Sequence, residues 1–167
     1  MTLPKGLDFS TQHLDEIHDC LTNLRWETEA RCVLLADITG QLIEEQGIST
    51  EMNTAALSAL AAGEMAATKE MARLVGQRAR FKLLLHEGDD QSVYLSDVGE
   101  EMLLVSVFDN STPIGMVRLF TREAVEQLKA IASRSRAEDQ KPTPDLMADF
   151  GQLLSDELDL SLSEWDR

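Results

Sequence analysis

The sequence predicts an α+β domain in which a five-stranded, largely antiparallel sheet carries one long central helix on one face and the terminal helices on the other. Three observations lead there. Apolar runs of strand length come as a pair and then as a trio, joined by links of hairpin length. Segments with helical periodicity stand before, between and after those groups, which gives the order αββαβββα. The last run of the trio, MLLVSVF from Met102 to Phe108, is apolar at nearly every position, as expected of a central strand covered on both faces.

The first helix is expected to start at a cap, Asp8 or Ser10, and to run towards Glu29. Leu14, Ile17, Leu21 and Leu24 share one face, and Asp15, Glu16, Asp19 and Glu27 lie mostly on the other. Cys32–Asp37 and Gln41–Glu45 form a hairpin; Asp37 and Gly40 bracket its turn, the glycine supplying a positive φ. Residues 46–52 are a loop. The long helix spans Asn53 to Val75, with Gly76 placed as the glycine that terminates it. Its Leu60, Gly63, Ala67, Met71 and Leu74 recur at helical spacing and are expected to face the core. Ala55, Ala59, Ala62 and Ala66 form a second stripe, almost bare of side chain, onto which another helix can dock closely; a plain solvated face is the competing reading.

Phe81–Glu87, Ser92–Val98 and Met102–Phe108 are the strands of the trio, turned at Gly88-Asp89-Asp90 and Gly99-Glu100-Glu101. After the turn residues 109–113, a third helix runs to about Ser133, with Val117, Phe120, Ala124, Val125, Leu128 and Ile131 on its apolar face. The domain is therefore expected over residues 1–134. Residues 135–144 are polar and lack periodicity, as a linker does, and residues 145–167 form an acidic amphipathic tail. Such a tail suits docking to a second protein; folding back over its own domain is the alternative.

Composition narrows the function. The 167 residues carry 15 Lys+Arg against 30 Asp+Glu, a net charge of -15. A chain this acidic repels phosphate backbones and anionic lipid, so neither nucleic acid nor a membrane surface is an expected partner. No apolar run has bilayer length, and the N-terminal stretch has no signal-peptide core, so the expected location is the cytoplasm. Cys20 and Cys32 have neither metal-knuckle nor redox spacing and are expected to be buried and reduced.

No catalytic constellation stands out. His13 and His18 point about 140° apart on an ideal helix, and His86 has no sequence-local acid and base pair. The acid pairs Asp89-Asp90 and Glu100-Glu101 fall in turns, where acidic residues are ordinary, and neither loop matches a calcium hand. No phosphate-binding loop, dinucleotide fingerprint or nucleophile elbow is present. Neither a metal nor a cofactor is expected. Arg73, Arg78 and Arg80 cluster near one end of the long helix, without spacing that would mark an arginine lent to a nucleotide pocket.

Taken as a series, LLADITGQLIEE (Leu34–Glu45), NTAALSALAAGEMAATKEMARLVG, FKLLLHEGDDQSVYLSDVGEEMLLVSVF and the helix from Ile114 resemble the roadblock / dynein light chain family, in its bacterial MglB-like branch. The resemblance covers roughly residues 7–134 and excludes the tail. It implies a non-catalytic homodimer whose long helices pair and whose third strands join edge to edge. On this chain that interface maps to Ala55, Ala59, Ala62, Ala66, Phe81, Leu83 and Leu85. It further implies a regulatory platform for a Ras-like small GTPase, whose contact maps to Ala59, Ala62, Ala66, Lys69, Glu70 and Arg73.

Two other functions fit an antiparallel sheet with flanking helices. A PAS- or GAF-type small-molecule sensor needs a pocket of about 300 Å3 or more, which Leu60, Met71, Leu83, Leu103 and Phe108 are expected to fill. A purely structural assembly subunit would use the tail as its docking peptide.

Overall fold

A computed structural model describes residues 7–47, 52–78 and 81–139. The elements are α1 (Thr11–Thr28), β1 (Cys32–Asp37), β2 (Leu42–Gly47), α2 (Thr54–Leu74), β3 (Leu83–Glu87), β4 (Gln91–Val98), β5 (Met102–Asp109) and α3 (Ile114–Asp139). All neighbouring strands are antiparallel, in the order β2-β1-β5-β4-β3. Each hairpin keeps sequential strands adjacent. The α2 crossover then seats β5 beside β1, with Cys32 opposite Val107 and Asp37 opposite Met102. β1 is buried along its whole length and β5 up to Phe108, because both lie at the centre with helices on both sides.

The pleat divides the core in two. Val33, Leu35, Leu104 and Phe108 face α1 and α3, where Ile17, Leu21, Leu24, Val117, Leu128 and Ile131 meet them. Cys32, Leu34, Leu103, Val105 and Val107 face α2, where Ala61 and Ala62 are buried and Leu57 and Met65 are half-buried. This is the two-sided arrangement the element order predicts.

Local chemistry sets the boundaries. Ser10 caps α1, its Oγ accepting from the His13 amide at 3.3 Å, and Glu29 closes the helix in the left-handed region at φ 50°. In the β1–β2 turn the buried Asp37 carboxylate accepts from the Thr39 amide at 2.8 Å, the Thr39 hydroxyl at 2.6 Å and the Gln41 amide at 3.0 Å. Gly40 stands there at φ +87°. Asn53 caps α2 by accepting from the Ala56 amide at 2.9 Å, and Gly76 at φ +73° terminates it. The β3–β4 turn is tied down by Asn110, whose amide donates to the carbonyls of Gly88 at 2.6 Å and Asp89 at 2.9 Å.

Three expectations need correction. The first concerns α2. Leu60, Met71 and Leu74, expected in the core, are 72%, 59% and 71% exposed, and Gly63 and Ala67 are exposed with them. The side that meets the sheet carries Ser58, Ala61, Ala62, Thr68 and Ala72, all small. Small residues let the helix axis come close to the strands, and the large ones turn outward. For the same reason Leu60 and Met71 do not fill the space between α2 and the sheet.

Second, α3 does not end near Ser133. It runs to Asp139, through the first half of the expected linker. Ile131, Ala132 and Ser135 remain buried there, and the Ser135 hydroxyl donates to the Asp8 carbonyl at 2.5 Å. Arg134 pairs with Glu16, holding that carboxyl below its usual range, and Arg136 approaches Glu101 at 3.4 Å. These long-range contacts carry a polar stretch as helix. Third, β3 starts at Leu83, so Phe81 lies just outside the strand, 38% exposed. The chain divides after Arg136, and of the remainder only residues 137–139 are described, so the expected tail over 145–167 and Arg80 lie outside the described residues.

Cys20 and Cys32 are free and buried, and burial pushes both thiols up to about 11. A thiol reagent at pH 8 is expected to leave both untouched in the native protein and to label both after unfolding; fast labelling of the native fold would contradict this burial. The sign for stability follows. Unfolded thiols ionise at about 8.5 while the folded ones keep their protons, so stability falls as pH rises from there towards about 11.

Candidate functional site

Among the described residues no group of three or more His, Cys, Asp or Glu side chains is placed to hold a metal ion. His13 is buried beside the Ser10 hydroxyl at 3.0 Å, and His18 sits on the surface, 3.2 Å from Glu44. His86 on β3 meets Glu64 of α2 at 2.6 Å, an acid supplied by another element and therefore invisible to local sequence reading.

What the fold does build is a continuous surface on the α2 side. α2 lies over β1 and β5 and leaves the β3 end of the sheet less covered, so Leu84 and Val93 are only half-buried. The Glu64–His86 pair identifies the flank of α2 that looks towards β3. Leu60, Ala67 and Met71 belong to the outer, β3-ward side by helical spacing from Glu64. Beyond them runs β3 itself, paired with β4 on one edge and with no strand on the other among the described residues. Leu83 is 39% exposed at that edge. Exposed apolar side chains and an open strand edge thus lie side by side, a combination that monomeric proteins avoid.

The opposite flank carries the alanines. Ala55, Ala59 and Ala66 are exposed, whereas Ala62 is 6% exposed and belongs to the core cluster that holds Leu34 and Leu103. This flank looks towards the hairpin turns. A Cβ on Gly40 would lie 2.6 Å from the Ala59 Cα. Ala66, Lys69, Glu70 and Arg73 line an open depression of about 650 Å3 together with Gln77, Arg78 and Glu100. Arg73 donates to Glu70 at 2.8 and 2.5 Å, an exposed pair that raises the guanidinium above its ordinary value. The structure therefore gathers four of the residues mapped to a GTPase contact, Ala66, Lys69, Glu70 and Arg73, around one concavity, with Ala59 further along the same flank. The space directly under α2 is small, about 170 Å3.

A family model, the Roadblock/LC7 domain, matches residues 17–108. This chain is a member of the Roadblock/LC7 family. Solved MglB proteins are similar to this roadblock chain over nearly their whole length. MglB of Myxococcus xanthus is 35% identical, with 71% of this chain and 96% of that one covered and a TM-score of 0.69. The gliding protein MglB of Thermus thermophilus is 32% identical, covering 80% and 99%, with a TM-score of 0.72. An MglB described in a tetrameric arrangement is 31% identical, covering 80% and 99%, with a TM-score of 0.73. These similarities place the roadblock domain in the MglB-like branch. A comparison with functionally curated proteins gives no match. No helix among the described residues is long and apolar enough to cross a membrane.

Proposed function

We propose that this roadblock domain works as a homodimer that binds a small Ras-like GTPase and regulates its nucleotide state, without an active site of its own. The carrying observation is the open apolar flank of α2 beside the open edge of β3. Pairing two copies there covers Leu60, Ala67 and Met71 and satisfies the strand edge in one contact. Gly63 supports this reading. Nothing in the chain lies within 4 Å of where its Cβ would be, and a glycine inside a helix costs about 0.5–1 kcal/mol relative to alanine. A second helix approaching closely at that position gives the glycine a use.

The GTPase contact then falls on the other flank, at Ala59, Ala66, Lys69, Glu70 and Arg73, repeated by the dimer. Membership of the MglB-like branch supports the partner class. Mixed with a Ras-like GTPase from the same source, the protein is expected to co-elute in one nucleotide state and to change the rate of GTP hydrolysis. Absence of binding in both the GDP and GTP states would remove the proposal.

A further inference from the structure

The flank of α2 that looks towards β3 carries one acid in the middle of its apolar residues. Leu60, Glu64, Ala67 and Met71 follow one another at helical spacing and form a single stripe. Glu64 is the only charged member, in a chain whose net charge is already -15. Pairing two copies along this stripe therefore brings two carboxylates into the contact. A carboxylate enclosed without a cation is costly.

The fold supplies one partner for it, and that partner is titratable. The Nε2 of His86, on β3, lies 2.6 Å from the Oε1 of Glu64. The two side chains are 53% and 36% exposed, so in a single copy water still screens the pair and it contributes little. A second copy laid along α2 and the β3 edge removes that water.

No other cation stands in. One turn to either side of Glu64, α2 carries Leu60, Ala61, Ala67 and Thr68. On β4, Val93 is opposite His86, and Gln91 and Leu95 are the next residues on that face. On β3 itself, Leu84 shares the face of His86, while the pleat sends Glu87 to the other. Asp89 and Asp90, in the turn beyond, are acids and add to the demand for positive charge. Among the described residues neither Glu64 nor His86 has a second ion pair.

Histidine is the side chain whose charge ordinarily changes between pH 5 and 8. With His86 neutral, each copy carries one unbalanced negative charge into the contact. With His86 protonated, the pair is neutral overall. We propose that protonation of His86 regulates self-association of this chain, the dimer being strengthened when His86 is a cation paired with Glu64 and weakened when it is neutral. The proposal rests on the homodimer reading above. Its sign follows from linkage. The dimer holds the proton more tightly than the free chain, so association takes up protons. The added affinity is complete at a pH below the range where His86 of the free chain is protonated. It is lost as pH rises through the higher range of the dimer.

The test is the dissociation constant of the full chain, from sedimentation velocity over a dilution series at pH 6, 7 and 8 and constant ionic strength. The constant is expected to be about tenfold lower at pH 6 than at pH 8, since a roughly threefold gain in proton affinity in each of two copies multiplies. His86→Gln should associate weakly at every pH, as the unchanged chain does at pH 8. His86→Lys should associate tightly at every pH, because its cation does not titrate in this range. His18→Gln removes the surface histidine paired with Glu44 and should keep the pH dependence. A dissociation constant that ignores pH, or a pH dependence retained by His86→Gln, would overturn the proposal and leave the homodimer standing. A chain that stays monomeric at every pH and concentration would remove both.

Discussion

Leu60→Glu is expected to convert the protein from a dimer of twice 18.6 kDa to a monomer of 18.6 kDa in sedimentation velocity, with the fold of each copy intact. Leu60 is 72% exposed, so within one chain the new carboxylate stays in water and costs little. In the proposed dimer it is placed against a second helix, and by symmetry this happens twice. An unpaired charge buried at an interface costs several kcal/mol, so the dissociation constant should rise by about a thousandfold or more. Ala62→Glu is the informative contrast. Ala62 is 6% exposed against the sheet, so that variant should lose its fold and its thermal transition rather than split cleanly. A Leu60→Glu protein that still sediments as a dimer would show that this flank of α2 is not the contact.

Gly40→Ala is expected to lower stability by about 2–4 kcal/mol, a fall in melting temperature on the order of 10 °C. Two effects add. The residue sits at φ +87°, where a Cβ is strained, and that Cβ would lie 2.6 Å from the Ala59 Cα. The obstacle is backbone, so no side-chain rotation relieves it. The turn and α2 must separate, and α2 carries both proposed contact flanks. The variant should therefore also weaken self-association. Gly63→Ala serves as the matched control, with nothing within 4 Å of the new methyl in the single chain. It should raise the stability of each copy by up to about 1 kcal/mol. An unchanged melting curve for Gly40→Ala would mean that the hairpin turn is not wedged against α2.

The strands and hairpins were legible because their signals are local. Asp37 and Gly40 make the first turn wherever the rest of the chain goes, and CVLLAD and MLLVSVF leave little choice but a buried centre. The end of α3 was not legible, because Ser135 and Arg134 extend it through contacts with Asp8 and Glu16, more than a hundred residues away in sequence. The Glu64–His86 pair is equally non-local, drawing on two elements far apart in the chain.

For α2, residue order was enough to establish that a helix exists, that it has a small-residue side and a side with Leu60, Met71 and Leu74, and that its ends lie near Asn53 and Gly76. Which side turns inward emerged from the folded chain alone. Helical periodicity is unchanged by rotation about the helix axis, so it separates faces without assigning them. The assignment came from packing: the Gly40 turn and the strands β1 and β5 accept a helix at close range only where its side chains are short.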